Sequence, residues 1–313
     1  MNAAATTLLL TRDLLTGTEW TAALVRELYH LAAGIKARPD RYRSALGGRF
    51  LALIFEKPSL RTRVTFEVGI QSMGGAAVFL DHTGTRLGQR ESIKDVARNL
   101  ERWVQGIVAR TFEQRAVGEL AEHAAIPVIN ALSDRFHPCQ ALSDFFTLEE
   151  RFGGLRGLKL AYVGDGNNVC HSLLVTGARV GAQVRVATPA GYEPDAEIVA
   201  EARRIARETH GKIELLRLAE EAVAGAQAVY TDVWASMGQE DEAAERAAIF
   251  APYQVNEMLM NLAAPDGVFL HCLPAHRGAE VTDAVMDSPR SIVYDQAGNR
   301  LHVQKAILLM LMS

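Results

Sequence analysis

The chain has 313 residues, 49% of them hydrophobic and 22% charged, with a formal net charge of −4. That balance belongs to a soluble globular protein long enough for two domains, and its mild acidity argues against nucleic acid, which usually meets a basic face. Three cysteines, Cys139, Cys170 and Cys272, lack zinc-like spacing; they exclude a disulfide framework, predict no metal and fit a reducing, cytoplasmic compartment.

The opening MNAAATTLLLTRDLL has no positive leading region, so no signal peptide is expected. Residues 19–36 carry Leu24, Leu28, Leu31 and Ile35 at helical spacing. GRFLALIF (48–55) is a continuous apolar run, as in a strand covered on both faces. RVTFEVGIQSMGG then reads as a helix stopped by glycines, and AAVFLD as a second strand. Helix 92–104, strand 106–110, helix 117–124, strand 126–132 and helix 139–154 complete the first half.

The second half restarts the alternation. LKLAYVGD predicts a strand, NNVCHSLLVTGARVG a helix, and QVRVATP a strand. Helix 195–211, strand 212–216, helix 218–226, strand 228–233 and strand 267–274 follow. SIVYDQ (291–296) reads as the last strand and residues 297–313 as a closing helix. AILLMLM, near the end, is far shorter than the roughly 20 residues of a membrane span. The fold class is α/β: two domains (1–150 and 151–295), each with a mainly parallel sheet flanked by helices, and a last helix (296–313) returning to the first.

In such sheets ligands bind beyond the carboxyl ends of the strands. EKPSLRTR, VART, SDRFHPCQ, GDGNN, TDVWASMG and HCLPAHRG all stand there. Pro58 stops a strand and Ser59 is a good N-cap, which puts Arg61 and Thr62 in the first helical turn. A helix start with an arginine fork suits a phosphate. The plainer reading is an ordinary cap with surface arginines and an Arg63–Glu67 pair. No P-loop or GxGxxG accompanies it, so a dinucleotide-dependent oxidoreductase, the reading from a different class, lacks its fingerprint.

SLRTR at a helix start, HPCQ at 137–140, DVWASMGQE at 232–240 and HCLPA at 271–275 occur in this order. With GDGNN and NRLH they make the chain resemble the aspartate/ornithine carbamoyltransferase family nearly end to end; the SMG and HCLP pieces point to its ornithine branch. The resemblance implies transfer of a carbamoyl group from carbamoyl phosphate to the δ-amine of ornithine, in arginine biosynthesis, with no cofactor. It also implies a homotrimer or a multiple of trimers, with sites between subunits. Putrescine, N-acetylornithine or aspartate as acceptor remain alternatives, as does a homologue that binds carbamoyl phosphate without catalysis. Aspartate would want further cations for a second carboxylate, and an aspartate placed for an α-ammonium disfavours the neutralised amine of N-acetylornithine.

Carried over position by position, the resemblance assigns phosphate contacts to Ser59, Leu60, Arg61 and Thr62. Arg110 falls between phosphate and carbonyl, His137 at the carbonyl oxygen and Gln140 at the carbamoyl NH2, with Pro138 and Cys139 in the same motif. Cys272 and Leu273 offer backbone carbonyls to that NH2, and Arg300 adds a further contact. Asn168 and the Met237 N–H match the ornithine α-carboxylate, and Asp232 with Ser236 the α-ammonium. Asp232 and Cys272 match the pair that handles the proton of the attacking amine. The resemblance implies direct transfer without a covalent enzyme intermediate. SMGQEDEAAERA is expected to be a mobile stretch folding over ornithine. Three departures stand out: Leu60 replaces a threonine, Arg86 stands where a residue often serves the neighbouring subunit, and Gly298 replaces a glutamate before Arg300.

Overall fold

The structure, a computed structural model, describes residues 12–82, 84–235 and 242–313. The chain divides into two compact units: Met1–Ser143 with Gly298–Ser313, and Asp144–Ala297.

Each sheet is built from short apolar strands that pair only in parallel. In the first unit the elements are α1 (Ala22–Ala37), β1 (Phe50–Phe55), α2 (Leu60–Gln71), β2 (Ala76–Asp81), α3 (Ile93–Leu100), β3 (Gly106–Arg110), α4 (Gln114–His123) and β4 (Val128–Leu132). The strands lie in the order β2-β1-β3-β4. All five residues of β3 are buried, as are Leu51–Phe55 of β1, which explains why these strands read as unbroken apolar runs. Leu24, Leu28 and Ile35 of α1 are buried as the spacing predicts, together with Val25, Tyr29 and Ala32. Leu14 adds one parallel bridge to Ile129 of β4.

Next come α5 (Pro138–Phe152), β5 (Lys159–Val163), α6 (Asn168–Arg179), β6 (Gln183–Ala187), α7 (Ala196–Thr209), β7 (Lys212–Leu216), α8 (Ala219–Val223) and β8 (Ala228–Thr231). After them stand α9 (Ala243–Phe250), α10 (Glu257–Met260), β9 (Val268–His271), α11 (Asp283–Met286) and α12 (Val293–Met312). The second sheet has the order β7-β6-β5-β8-β9. Ala161, Val163, Val229 and Phe269 from its strands pack with Val255, Val281 and Val293 in one buried cluster. Each such aliphatic side chain contributes about 1.5–3 kcal/mol on burial.

One element differs from expectation. Residues 291–296 are not a strand: Ser291 makes a single parallel bridge to Phe269, and the helix begins at Val293. The β-branched Ile292–Val293 pair suggested a strand. Asp295 in the first turn suits the positive helix end. The Gln296 N–H already donates to the Ile292 carbonyl at 2.9 Å. Of the stretch SMGQEDEAAERA, residues 236–241 lie outside the described residues, and residues 243–247 lie in α9, where Arg246 and Phe250 are buried. No helix among the described residues is long and apolar enough to cross a membrane.

Candidate active site

Strand order fixes where each sheet can bind. In the first unit β2 lies to one side of β1, and β3 and β4 to the other. The crevice at the carboxyl ends of β1 and β3 is therefore a topological switch point. The chain leaving β1 carries Ser59, and the last residue of β3 is Arg110.

Ser59 has extended backbone, and its Oγ accepts from the Thr62 N–H at 3.3 Å, so it is the N-cap of α2. The two arginines behind it differ. Arg63 pairs with Glu67 at 3.2 Å and lies over the Phe79 ring at 3.6 Å, as the plainer reading expects. Arg61 has no such commitment among the described residues. Leu60 leaves its side chain 74% exposed, so at this turn it offers only backbone. Buried Thr62 accepts from the Arg300 Nη2 at 2.7 Å on α12. That bond supports Arg300 locally, where Gly298 supplies no side chain.

Arg110 is buried, and the β3–β4 register shifts between Ala109 and Arg110. Such an irregularity re-aims a side chain at a strand end. His137 is buried just before α5, where its carbonyl accepts from the N–H groups of Gln140 and Ala141 at 3.1 and 3.3 Å. Pro138 opens the helix, where a missing N–H costs nothing. Burial, then the charges of Arg300 and Arg110, hold the His137 pKa well below 6.5. The ring is neutral and keeps one N–H to donate. Gln140 is buried beside it in sequence. The Cys139 thiol turns away onto the Asn130 carbonyl at 3.4 Å, and burial pushes it up to about 12. Cys139 therefore offers a ligand its backbone alone.

Two charged residues that the motifs did not single out organise this end of β1. The buried Glu56 carboxylate accepts from the N–H groups of Leu87 and Phe112 at 2.6 and 2.7 Å, tying down the segment that follows Arg86. Lys57 lies 4.5 Å from the Phe112 ring centre, and burial and then Arg110 lower its pKa. Arg86 shares that ring at 4.7 Å and pairs with Glu113 at 3.2 Å. A Glu-Lys pair directly after an apolar strand was the available signal.

In the second unit the order reverses between β5 and β8, and the GDGNN turn follows β5. Gly166 is required by crowding, because a Cβ there would stand 2.2 Å from the Pro194 nitrogen. Asn167, not Asn168, caps α6, its Oδ1 accepting from the Val169 and Cys170 N–H groups. Its Nδ2 donates to Asp232 Oδ2 at 2.8 Å. Asn168 is the first helical residue. Asp232 follows β8; its Oδ1 accepts from the Val233 N–H at 2.8 Å and from the Cys272 thiol at 3.0 Å. Ser236 and Met237 lie outside the described residues.

Cys272 follows β9 in a loop held from behind. His271 Nδ1 accepts from the Leu273 N–H at 2.9 Å, and its Nε2 faces the buried Glu280 carboxylate at 3.3 Å. The His271 N–H donates to Gln296 Oε1 at 3.0 Å, and Gln296 Nε2 donates to Asp144 Oδ1 at 2.7 Å. Leu273 sits at φ 59°, a left-handed conformation rare for a side-chain-bearing residue. Such outliers cluster at ligand sites. Asp232, His271 and Cys272 place ligand atoms within 4.8 Å of one another. Both His271 nitrogens are already engaged, so a metal would have to dismantle the loop's support.

Asp165 and Arg246 complete this face. Arg246 Nη1 lies 3.1 Å from Asp165 Oδ2. Burial pushes Asp165 up to about 6; Arg246 opposes the rise and Asp232 adds to it.

One switch point is thus lined by cations and a neutral histidine, the other by carboxylates and amides. Fold and charge together define a two-unit α/β protein with one crevice suited to an anion and one to an amine. Residues 12–150 match the model for the aspartate/ornithine carbamoyltransferase carbamoyl-P binding domain, and residues 156–311 that for the Asp/Orn binding domain. The chain belongs to the aspartate/ornithine carbamoyltransferase family. It is 51% identical to an ornithine carbamoyltransferase of Anoxybacillus flavithermus over all of both chains. It is likewise 51% identical to an anabolic ornithine carbamoyltransferase of Pyrococcus furiosus, over 96% of each. The solved Pyrococcus furiosus ornithine carbamoyltransferase superposes with a TM-score of 0.93 at 50% identity, covering 96% of this chain and 97% of that one. The Thermus thermophilus enzyme superposes at 0.88 with 49% identity, covering 97% and 100%.

Proposed function

We propose that this chain transfers the carbamoyl group of carbamoyl phosphate to the δ-amine of L-ornithine, giving L-citrulline and phosphate in arginine biosynthesis. The opposite charge of the two switch points carries this reading: each suits one substrate. A C–N bond forms, the bond from carbonyl carbon to phosphate oxygen breaks, and the amine loses a proton.

In the first unit the N-terminus of α2, with Ser59, Thr62 and Arg61, receives the phosphate, and Arg110 and Arg300 balance its charge. Neutral His137 donates to the carbonyl oxygen, where negative charge grows as the tetrahedral intermediate forms. Gln140 holds the carbamoyl NH2. The δ-ammonium has a pKa near lysine's, roughly 10.4, so it must be deprotonated before attack. The Cys272 thiol, donating to Asp232 at 3.0 Å, offers a path for that proton. Buried Cys139 and Cys170 are packing residues.

At the amino-acid end, Asp232 with Ser236 takes the α-ammonium, and Asn168 with the Met237 N–H takes the α-carboxylate. Putrescine is ornithine without that carboxylate, so Asn168 discriminates against it. The test supplies carbamoyl phosphate with ornithine, putrescine, N-acetylornithine or aspartate and follows the ureido product. Ornithine is expected to be the preferred acceptor; product from another amine and none from ornithine overturns the reading.

The assembly we propose is a homotrimer or a multiple of trimers. Leu60, Val64 and Val68 form an exposed stripe at four-residue spacing on α2, and Val78 is exposed on the edge strand β2. Such a surface favours burial against another copy. Arg86, in this reading, serves the neighbouring copy's carbamoyl phosphate. Light scattering should give three times the 34.1 kDa chain mass or a multiple; a monomer for both wild type and Val64→Arg discards it. Free cysteines fit a cytoplasmic location.

A further inference from the structure

We infer that Arg246, through Asp165, is a positioning residue for the amino-acid end of ornithine. The inference rests on the reading that Asn168 and Asp232 hold that end. Arg246 closes a ring of hydrogen bonds around the two loops concerned. Its Nη1 donates to Asp165 Oδ2 at 3.1 Å and to the Trp234 carbonyl at 3.0 Å. The Asp165 carbonyl accepts from the Asn167 N–H at 2.8 Å, and Asn167 Nδ2 donates to Asp232 Oδ2 at 2.8 Å. Asp232 leads through Val233 back to Trp234.

Within this ring Arg246 is the one cation, set against the carboxylates of Asp165 and Asp232. It links the loop after β5, which bears Asn168, to the loop after β8, which bears Asp232. Arg246 reaches both from a third element, α9, with its side chain only 8% exposed. Its Nε holds Glu242 at 2.8 Å, and its guanidinium lies 5.0 Å from the Tyr192 ring centre. The Trp234 ring stacks on Phe250 at 6.0 Å and 24°, so the segment gripped by its carbonyl is also fixed by its side chain. One guanidinium bridging two loops fixes their separation, and with it the spacing between the groups for the α-carboxylate and the α-ammonium. Both bonds leave Nη1, whose aim is set by Nε on Glu242; lysine has no second nitrogen to hold its ammonium there.

The test compares wild type, Arg246→Gln, Arg246→Lys, Asp165→Asn and the Arg246→Gln/Asp165→Asn double variant. KM is measured for each substrate, and inhibition by L-norvaline, which keeps the α-groups but lacks the δ-amine. Each Gln or Asn single variant should raise the ornithine KM and the norvaline Ki together by about 10-fold or more, with the carbamoyl phosphate KM within about twofold. The double variant should be no worse than the worse single one, and Arg246→Lys should fall between. If Arg246→Gln does not fold, Asp165→Asn and Arg246→Lys carry the same comparison. Equal rises in both KM values, or an unchanged norvaline Ki, overturn the role of Arg246. If wild type neither carbamoylates ornithine nor is inhibited by norvaline, the reading of the amino-acid end fails instead.

Discussion

The two switch points share a topology and carry opposite charge. At the first stand Arg110, a helix N-terminus and Arg300; burial, and then these two cations, lower the His137 pKa. At the second, a parallel sheet presents Asp165 and Asp232, held by Asn167 and Arg246. Strand order decides that something binds at each crevice. The residues that follow the strands decide whether it is an anion or an amine. One scaffold, used twice, thus presents two crevices of opposite charge.

The strongest way to break this contrast is to remove a cation from the first crevice. Arg61→Ala should lower kcat/KM for carbamoyl phosphate by about 10²–10³-fold, the usual effect of losing one preorganised donor to developing charge. Steady-state kinetics with titration of carbamoyl phosphate checks this, and normal binding would mean that the phosphate lies elsewhere. In the second crevice, Asp232→Asn should lower kcat/KM for ornithine by roughly 10–100-fold, as expected for a lost charge-assisted bond. Binding of carbamoyl phosphate should survive; losing both equally would collapse the division of labour.

Acid sharpens the contrast, because the crevices respond to pH with opposite sign. Asp165 has its folded pKa raised from 3.8 to about 6, so the folded protein holds the extra proton in that window. Its stabilising contribution is full below 3.8 and is lost as pH rises to about 6, by on the order of 3 kcal/mol. His137 is lowered from 6.5, so the unfolded chain binds the extra proton. Its contribution is full above 6.5 and is lost as pH falls below that value. Urea unfolding of Asp165→Asn and His137→Asn against wild type, from pH 4 to 8, should give slopes of opposite sign. The smallest effect belongs to Arg63→Ala, which removes a half-exposed helix pair worth about 0.3–0.5 kcal/mol. It should leave carbamoyl phosphate binding intact, so a loss like that of Arg61→Ala would show that the neighbouring arginines are not distinct.

Much of this was legible because buried parallel strands announce themselves as apolar runs, and polar motifs follow them. Ser59 could be recognised as a cap because a proline stops the strand before it. The helical start at Val293 was not legible, since the β-branched Ile292–Val293 pair mimics a strand and outweighed Asp295 as a sign of a helix start. Glu56, Asn167 and Arg246 were missed for a related reason. Their roles lie in bonds to Leu87, Asp232 and Asp165, and local spacing carries no trace of partners 31, 65 and 81 positions away. The acidic run before Arg246 reads as a mobile polar stretch, and that reading hides a buried guanidinium.

The first unit is assembled from both halves of the primary structure, since Gly298–Ser313 belongs to it while Asp144–Ala297 forms the second unit unaided. The second unit needs no residue beyond Ala297, whereas the first needs residues 298–313 as well. Thr62 must wait 238 positions for Arg300. Until residues 298–313 dock, the crevice beside Thr62 stays one cation short, and Gly69 lacks the neighbouring side chains of Leu301, Lys305 and Leu308. Long-range closure of this kind slows folding and leaves a partly built sheet exposed to aggregation. A chain lacking residues 298–313 would keep all five strands of the second sheet and leave Thr62 without Arg300.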